Sequence, residues 1–355
     1  MSGEIEASNP GLTFGRIVGS LISVLVLLAP AAEGQTLIAY DDTFAVPYAD
    51  TLLVEAPGVL ENDTYHGEPA EGAGATVELV GNVSYGYLSC PDTALKLCPD
   101  GSFVYTPDPD YPGTDTFTYL VTVGTETALA TVTLTACSAG PTQYVCWKEA
   151  AYLAKLGDLG YQSFQEGFED DAAWGLARKP ATASFVLSQG IKWETNHPVT
   201  NEITTGTGQA RTGLWAVYDP DHGYATGTSA ECNVNNPPLH CLFKDGFTGT
   251  RQSGESTLRG VGGYFTGSAG PNIVMILDGG APIGLGLLLV GGSQFFGVID
   301  TAGFTSYRVE ETDGKVGQER YVFADDFTFA FSGPFSIFSD GFESGGTLAW
   351  SVIFP

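Results

Sequence analysis

Between Gln35 and Cys137 apolar residues return at every second position, as in "ATVELVGNVSYGYLS", "GSFVYTPD", "DTFTYLVTV" and "ALATVTLTA". An extended strand turns successive side chains to opposite faces, so this period of two gives each segment one apolar and one polar face, a pattern that no helix satisfies. "PDGSF" at Pro99 to Phe103 supplies a hairpin turn, because Asp100-Gly101 can take positive φ. The segments add up to a β-sandwich of about seven strands over 35–137. Strands return after position 163 in "ASFVLSQGIKWET", "TGLWAVYD", "NIVMILDG", "QFFGVIDT", "TSYRVEET" and "DDFTFAFS". Separated by Gly-rich turns, they predict a second, two-sheet sandwich of jelly-roll type over 163–333. With 47 Gly, 20 Pro and only 14 Lys and Arg, the fold class is all-β.

The stretch 138–162 has a different character. Val145 to Leu156 is rich in Ala, Leu, Lys and Glu, and Gly157 follows as a stop, which predicts a short helical linker between the sandwiches. At the N-terminus, Arg16, the apolar run Ile17 to Leu28 and small residues suited to cleavage after Ala31 or Gly34 read as a secretory signal over 1–34. The run is too short for a lasting membrane span, so none is expected after cleavage. At the other end, 334–355 holds "DGFESGGTLAW", a loose copy of "EGFEDDAAW" at Glu166 to Trp174. Either a sorting tag or a tail docking Trp350 and Phe354 on the preceding sandwich would account for it.

Charge narrows the partners. The chain carries 41 acidic and 14 basic residues, a formal net charge of −27. Nucleic acid is excluded as a partner, since neutralising phosphates needs clustered Lys and Arg. Residues 35–137 hold fifteen Asp and Glu against Lys96 alone, and a surface so self-repelling gains from binding cations. Calcium takes several oxygens from carboxylates and carbonyls. The loops "ENDT" and "DPDYPGTD" offer both, which makes Asp42, Asn62, Asp63 and Asp115 candidate Ca2+ ligands. The same Asn and Asp residues are also good turn formers through bonds to their own backbone.

The six cysteines fall into three close pairs, Cys90 with Cys98, Cys137 with Cys146, and Cys232 with Cys241. Local pairing into three disulfides is the simplest of the fifteen ways to join six cysteines and fits an exported chain. Zinc fits poorly, because no CxxC occurs and His240 has no companion motif.

"DDTFAVPYADTLLVEAPGVLENDTY" with "DGSFVYTPDPDYPGTDTFTYLVTV" resembles the bacterial cadherin-like, immunoglobulin-like repeats of large secreted adhesins, over residues 38–135. The resemblance implies a sandwich that stiffens a surface protein, with calcium at module junctions. The second region opens with "GFEDDAAW" and closes with "YVFADDFTFAF". In this it resembles the jelly rolls of carbohydrate-binding modules, and "FFGVIDTAGFTSYRVEET" resembles surface proteins of the PEP-CTERM class. That resemblance implies a structural calcium shared by Glu169 and Asp325 or Asp326. The tail is similar to the "DGFESG…AW" endings of secreted proteobacterial proteins.

No GxSxG elbow, HExxH or phosphate loop occurs, so no enzyme is expected. Sugar binding needs exposed aromatic platforms. Trp193 and Trp215 are the first candidates, with Tyr218, Tyr264, Phe295 and Phe296 behind them. The chain therefore reads as an exported, non-catalytic surface protein, calcium-stabilised and acting in adhesion or envelope structure. An alternative is a secreted glycan-binding module whose jelly roll is the reader, and the partner would be an extracellular glycan or a surface protein.

Overall fold

The computed structural model describes residues 37–91, 93–196, 202–220, 245–254, 256–267, 272–287, 292–312 and 322–333. The expected signal segment and the tail lie outside them. The fold is all-β, an immunoglobulin-like sandwich followed by a second β-sandwich.

In the first sandwich a four-stranded sheet runs in the order Asp42–Ala45, Glu126–Thr135, Thr114–Val123, Thr76–Gly81, and faces a three-stranded sheet of Leu52–Val54, Phe103–Pro107 and Gly86–Ser89. The strand Asp42–Ala45 joins its neighbour in parallel, while all other pairs are antiparallel. The period of two places side chains as expected. In Thr114–Val123, Phe117, Tyr119, Val121 and Val123 point inward, and Thr116, Thr118 and Thr122 point out.

The second sandwich stacks a six-stranded sheet, from Val186–Ser188 to Ile283–Leu287, on an eight-stranded one centred on Leu258–Gly267, Gln294–Phe304 and Val322–Phe331. The opening strand Gln162–Glu166 lies antiparallel beside the closing strand Val322–Phe331. Its core is aromatic, with Phe168, Trp174, Phe247, Phe265, Tyr307 and Phe327 among the side chains removed from water. Each such burial contributes roughly 1.5–3 kcal/mol.

The expected linker is more than a spacer. The first part of the predicted helix is a strand: Gln143–Cys146 pairs with Cys137–Ala139 and then with Gln294–Phe304, so the hairpin extends the eight-stranded sheet. Tyr144 and Val145 favour extended backbone, and the disulfide Cys137–Cys146 joins residues directly opposite each other. The helix proper is Glu149–Asp158. It runs through Gly157, and the left-handed residue that stops it is Gly160, at φ 68°.

Two of the three expected disulfides, Cys90–Cys98 and Cys137–Cys146, are formed among the described residues. The third does not appear with them: Cys232 and Cys241 both lie outside the described residues, in the span 221–244.

Tyr152 of the helix is fully buried on the sheet, and its hydroxyl donates to the Thr328 carbonyl at 3.2 Å. The fit needs glycine at two positions. A Cβ on Gly297 would meet the Tyr152 ring at 2.5 Å, and one on Gly260 would meet its hydroxyl at 2.6 Å.

Candidate functional site

Asp42 and Asp63 converge on one phenol. The Tyr119 hydroxyl lies 2.8 Å from the Val59 carbonyl, 2.9 Å from Asp42 Oδ2, 3.2 Å from the Tyr40 carbonyl and 3.3 Å from Asp63 Oδ2. A phenol has a single hydrogen to donate. The two shortest contacts are both at full hydrogen-bond length, so holding them takes a proton on Asp42 or a cation among the oxygens. Burial pushes the Asp42 carboxyl up to about 7, with the Tyr119 hydrogen bond opposing and the Asp63 charge adding to the rise. Asp63 is raised as well, again chiefly by burial. Asn62 stands outside this group, exposed, with its amide donating to the Asp41 carbonyl at 3.1 Å.

The other expected ligands are occupied by protein donors. Asp115 is buried and accepts from the Ser84 and Tyr85 amides at 3.0 and 2.8 Å and from the Tyr105 hydroxyl at 3.1 Å, which fixes one loop to the sheet. Glu169 accepts from the Leu214 and Trp215 amides, both at 2.8 Å. Asp325 accepts from the Arg211 and Thr212 amides at 2.7 and 3.1 Å, and Asp326 from the Arg211 guanidinium and the Thr212 hydroxyl at 2.9 and 2.7 Å. What joins Glu169 to Asp325 and Asp326 is thus the loop 211–215, gripped at both ends. Among the described residues no three His, Cys, Asp or Glu side chains are grouped so as to hold a metal ion.

The two tryptophans do not offer free faces. Trp193 is 0% exposed, with ring centroids 5.1 Å from Phe168 and 5.2 Å from Phe327. This corrects the expectation of a sugar platform. Its strand, Ile191–Thr195, turns Lys192 and Glu194 outward, and the alternation that exposes those charges drives Trp193 inward. Trp215 is half-buried, and the Arg178 guanidinium lies over its ring at 4.4 Å. Of the secondary candidates, Tyr218, Phe295 and Phe296 are buried as well, and Tyr264 is half-buried.

A cleft of about 540 Å³ lies between the sandwiches, its aromatic walls half-buried at Tyr48, Trp147 and Tyr264 and buried at Tyr111 and Phe295. Asp50, Asp108, Lys148, Glu149 and Gln294 bring polar groups to it. Its size lies within the range of small-molecule sites, and aromatic walls with a few polar groups are their usual chemistry. Trp147 is the hinge of the site. Its indole N–H donates to the Val46 carbonyl of the first sandwich at 2.9 Å, and its ring meets Tyr48 and Tyr111, each at 5.7 Å. Opposite, the Tyr264 hydroxyl donates to Glu149 at 2.7 Å. Ala49, on the rim, holds a left-handed φ of 52°, a strain that surrounding structure must enforce in a residue with a Cβ.

Tyr264 and Phe295 were among the aromatics singled out in the sequence. Tyr48, Tyr111, Trp147 and Gln294 were not, and no local signal marks them, because the cleft gathers them from separate segments.

Residues 33–135 match the family described as bacterial Ig domain, well under half of the chain. No curated protein matches the sequence. Among solved structures, the K1 cleaved adhesin domain of Lys-gingipain from Porphyromonas gingivalis W83 is similar at 9% identity, covering 48% of this chain and 99% of that one, with a TM-score of 0.29. The carbohydrate-binding module TmCBM61, solved with β-1,4-galactotriose, is similar at 10% identity, covering 47% of this chain and 99% of its own, with a TM-score of 0.22. The CBM51-2 and INT domains of Clostridium perfringens ZmpB align at 9% identity over 83% of this chain and 48% of theirs, with a TM-score of 0.25.

Proposed function

We propose that this is an exported, non-catalytic protein of the cell surface or extracellular space, acting in adhesion or envelope structure by holding a carbohydrate between its two sandwiches. The observation that carries the reading is the cleft. Tyr48 and Trp147, both half-buried, offer ring surface for the apolar side of a pyranose, and Asp50, Asp108 and Gln294 offer acceptors for its hydroxyls. The match of 33–135 to a bacterial Ig domain supports a surface setting, and two formed disulfides support an oxidising one. No helix among the described residues is long and apolar enough to cross a membrane.

Calcium belongs to the same reading as a stabiliser of the first sandwich. Its best-supported position is the group of Asp42, Asp63 and the Val59 and Tyr40 carbonyls, where oxygens outnumber the hydrogens available to them. A glycan array probed with the full chain tests the function. Binding to a defined set of glycans, weakened by Tyr48→Ala, is the expected result. Adhesion to cells with no glycan bound would keep the surface role and replace the ligand.

A further inference from the structure

The cleft has more to accept hydrogen bonds than to donate them. Three carboxylates line it, from Asp50, Asp108 and Glu149, against the Lys148 ammonium and the Arg211 guanidinium, which stands 3.6 Å from Glu149, a local balance of −1 within a chain of −27. Gln294 lines it too, and its Oε1 is buried with no hydrogen-bond partner, an acceptor that lacks a donor. The cations at the site already lie on its aromatic walls. Lys148 Nζ sits 5.5 Å from the centre of the Trp147 ring, and the Arg211 guanidinium 3.6 Å from the centre of Tyr264. Aromatic faces attract positive charge, more strongly where water is partly excluded.

We infer that the cleft selects an amine-bearing saccharide, a glucosamine-type oligomer with free amino groups, over neutral and acidic sugars. The inference rests on the carbohydrate reading above. A pyranose presents an apolar face to the tyrosine and tryptophan rings, and its ammonium brings three donors to a site with acceptors in excess. Uronic and sulfated sugars meet a surface of their own sign and are disfavoured.

The test is titration calorimetry of the full chain with four probes: a glucosamine trimer, its fully N-acetylated counterpart, cellotriose and trilysine. The titration is run at about pH 5.5, where the sugar amines carry charge. We expect the glucosamine trimer to bind about tenfold more tightly than the acetylated trimer or cellotriose, with the advantage shrinking as salt is raised. The Asp50→Asn, Asp108→Asn double variant changes two exposed side chains, so the fold and its melting point are retained while that advantage is lost. Tyr48→Ala weakens all three saccharides together. Equal affinity for amine and acetyl forms, or an unchanged preference in the double variant, overturns the inference and leaves glycan binding standing. Trilysine bound as tightly as the glucosamine trimer also overturns it, since charge alone would then be read. Binding of no saccharide overturns both readings.

Discussion

Asp42 ties the first sandwich to pH. An Asp whose folded pKa is raised, here from 3.8 to about 7, takes up its proton more readily folded than unfolded. Its stabilising contribution is therefore complete below the unfolded value and is lost as pH climbs through the folded one. In chelator-containing buffer, stability should fall between about pH 4 and pH 7, by as much as about 4 kcal/mol from this group. Asp42→Asn, whose amide imitates the neutral acid, should flatten that dependence, which denaturant unfolding at several pH values would show. Asp63, raised beside it, adds to the same trend, so a residual slope in the variant is expected. Calcium would act in the opposite sense. Once pH has risen through the Asp42 value of about 7 and that carboxylate is ionised, an ion held at a hundredfold excess over its dissociation constant would restore about 2.7 kcal/mol. No difference between calcium and chelator at pH 8 would remove the metal from this site. The acids in "AYDDTF" and "ENDT" were legible in the sequence as candidates. That Tyr119 would stand between two of them was not, because the three residues come from separate segments of the fold.

Among the elements, the hairpin and helix between the sandwiches differ most from their sequence pattern. Ala, Leu, Lys and Glu spoke for a helix from Val145, and helix propensity is a weak prior that tertiary pairing overrides. Here the pairing is with Gln294–Phe304, far along the chain, and the disulfide partner Cys137 sits across from Cys146. Two predictions belong to this element. Gly297→Ala drives a methyl into the Tyr152 ring and should cost roughly 1–3 kcal/mol, as overpacking does. Replacing Cys137 and Cys146 together by serine should cost about 2–5 kcal/mol in a folded chain, measured by urea unfolding. A Gly297→Ala protein as stable as the parent would mean that the helix does not rest on the sheet where Tyr152 puts it.

Over the whole molecule the two sandwiches share a boundary made of core. Tyr152 and Leu156 of the helix belong to the hydrophobic cluster of the first sandwich, and so do Phe295, Ile299 and Ala330 of the second. Trp147 packs against both clusters. Such continuity predicts one cooperative thermal transition. Trp147→Ala should split it in two by removing the indole bond to Val46 and the contacts with Tyr48 and Tyr111. Calorimetry checks this directly: two transitions in the parent chain would show that the sandwiches melt as separate units, and the cleft between them would then lack a rigid frame.

By itself the sequence determined what depends on near neighbours. Alternation makes strands, Asp-Gly and Gly-rich stretches turn them, Cys90 finds Cys98 and Cys137 finds Cys146, and a deficit of Lys and Arg argues against a nucleic-acid partner, all from residues a few positions apart or from composition. Which face an aromatic takes, and what a carboxylate meets, are decided by contacts between distant segments. Trp193 sits between two charges and yet belongs to the core, because the strand's alternation is read against the opposite sheet. Glu169, Asp325 and Asp326 suited a shared ion by residue type, and the fold brought amides of the loop 211–215 to Glu169 and Asp325 and the Arg211 and Thr212 side chains to Asp326. Only the tertiary structure could make the cleft, since Tyr48, Trp147 and Tyr264 share no local pattern and meet only when the sandwiches close on the hinge between them.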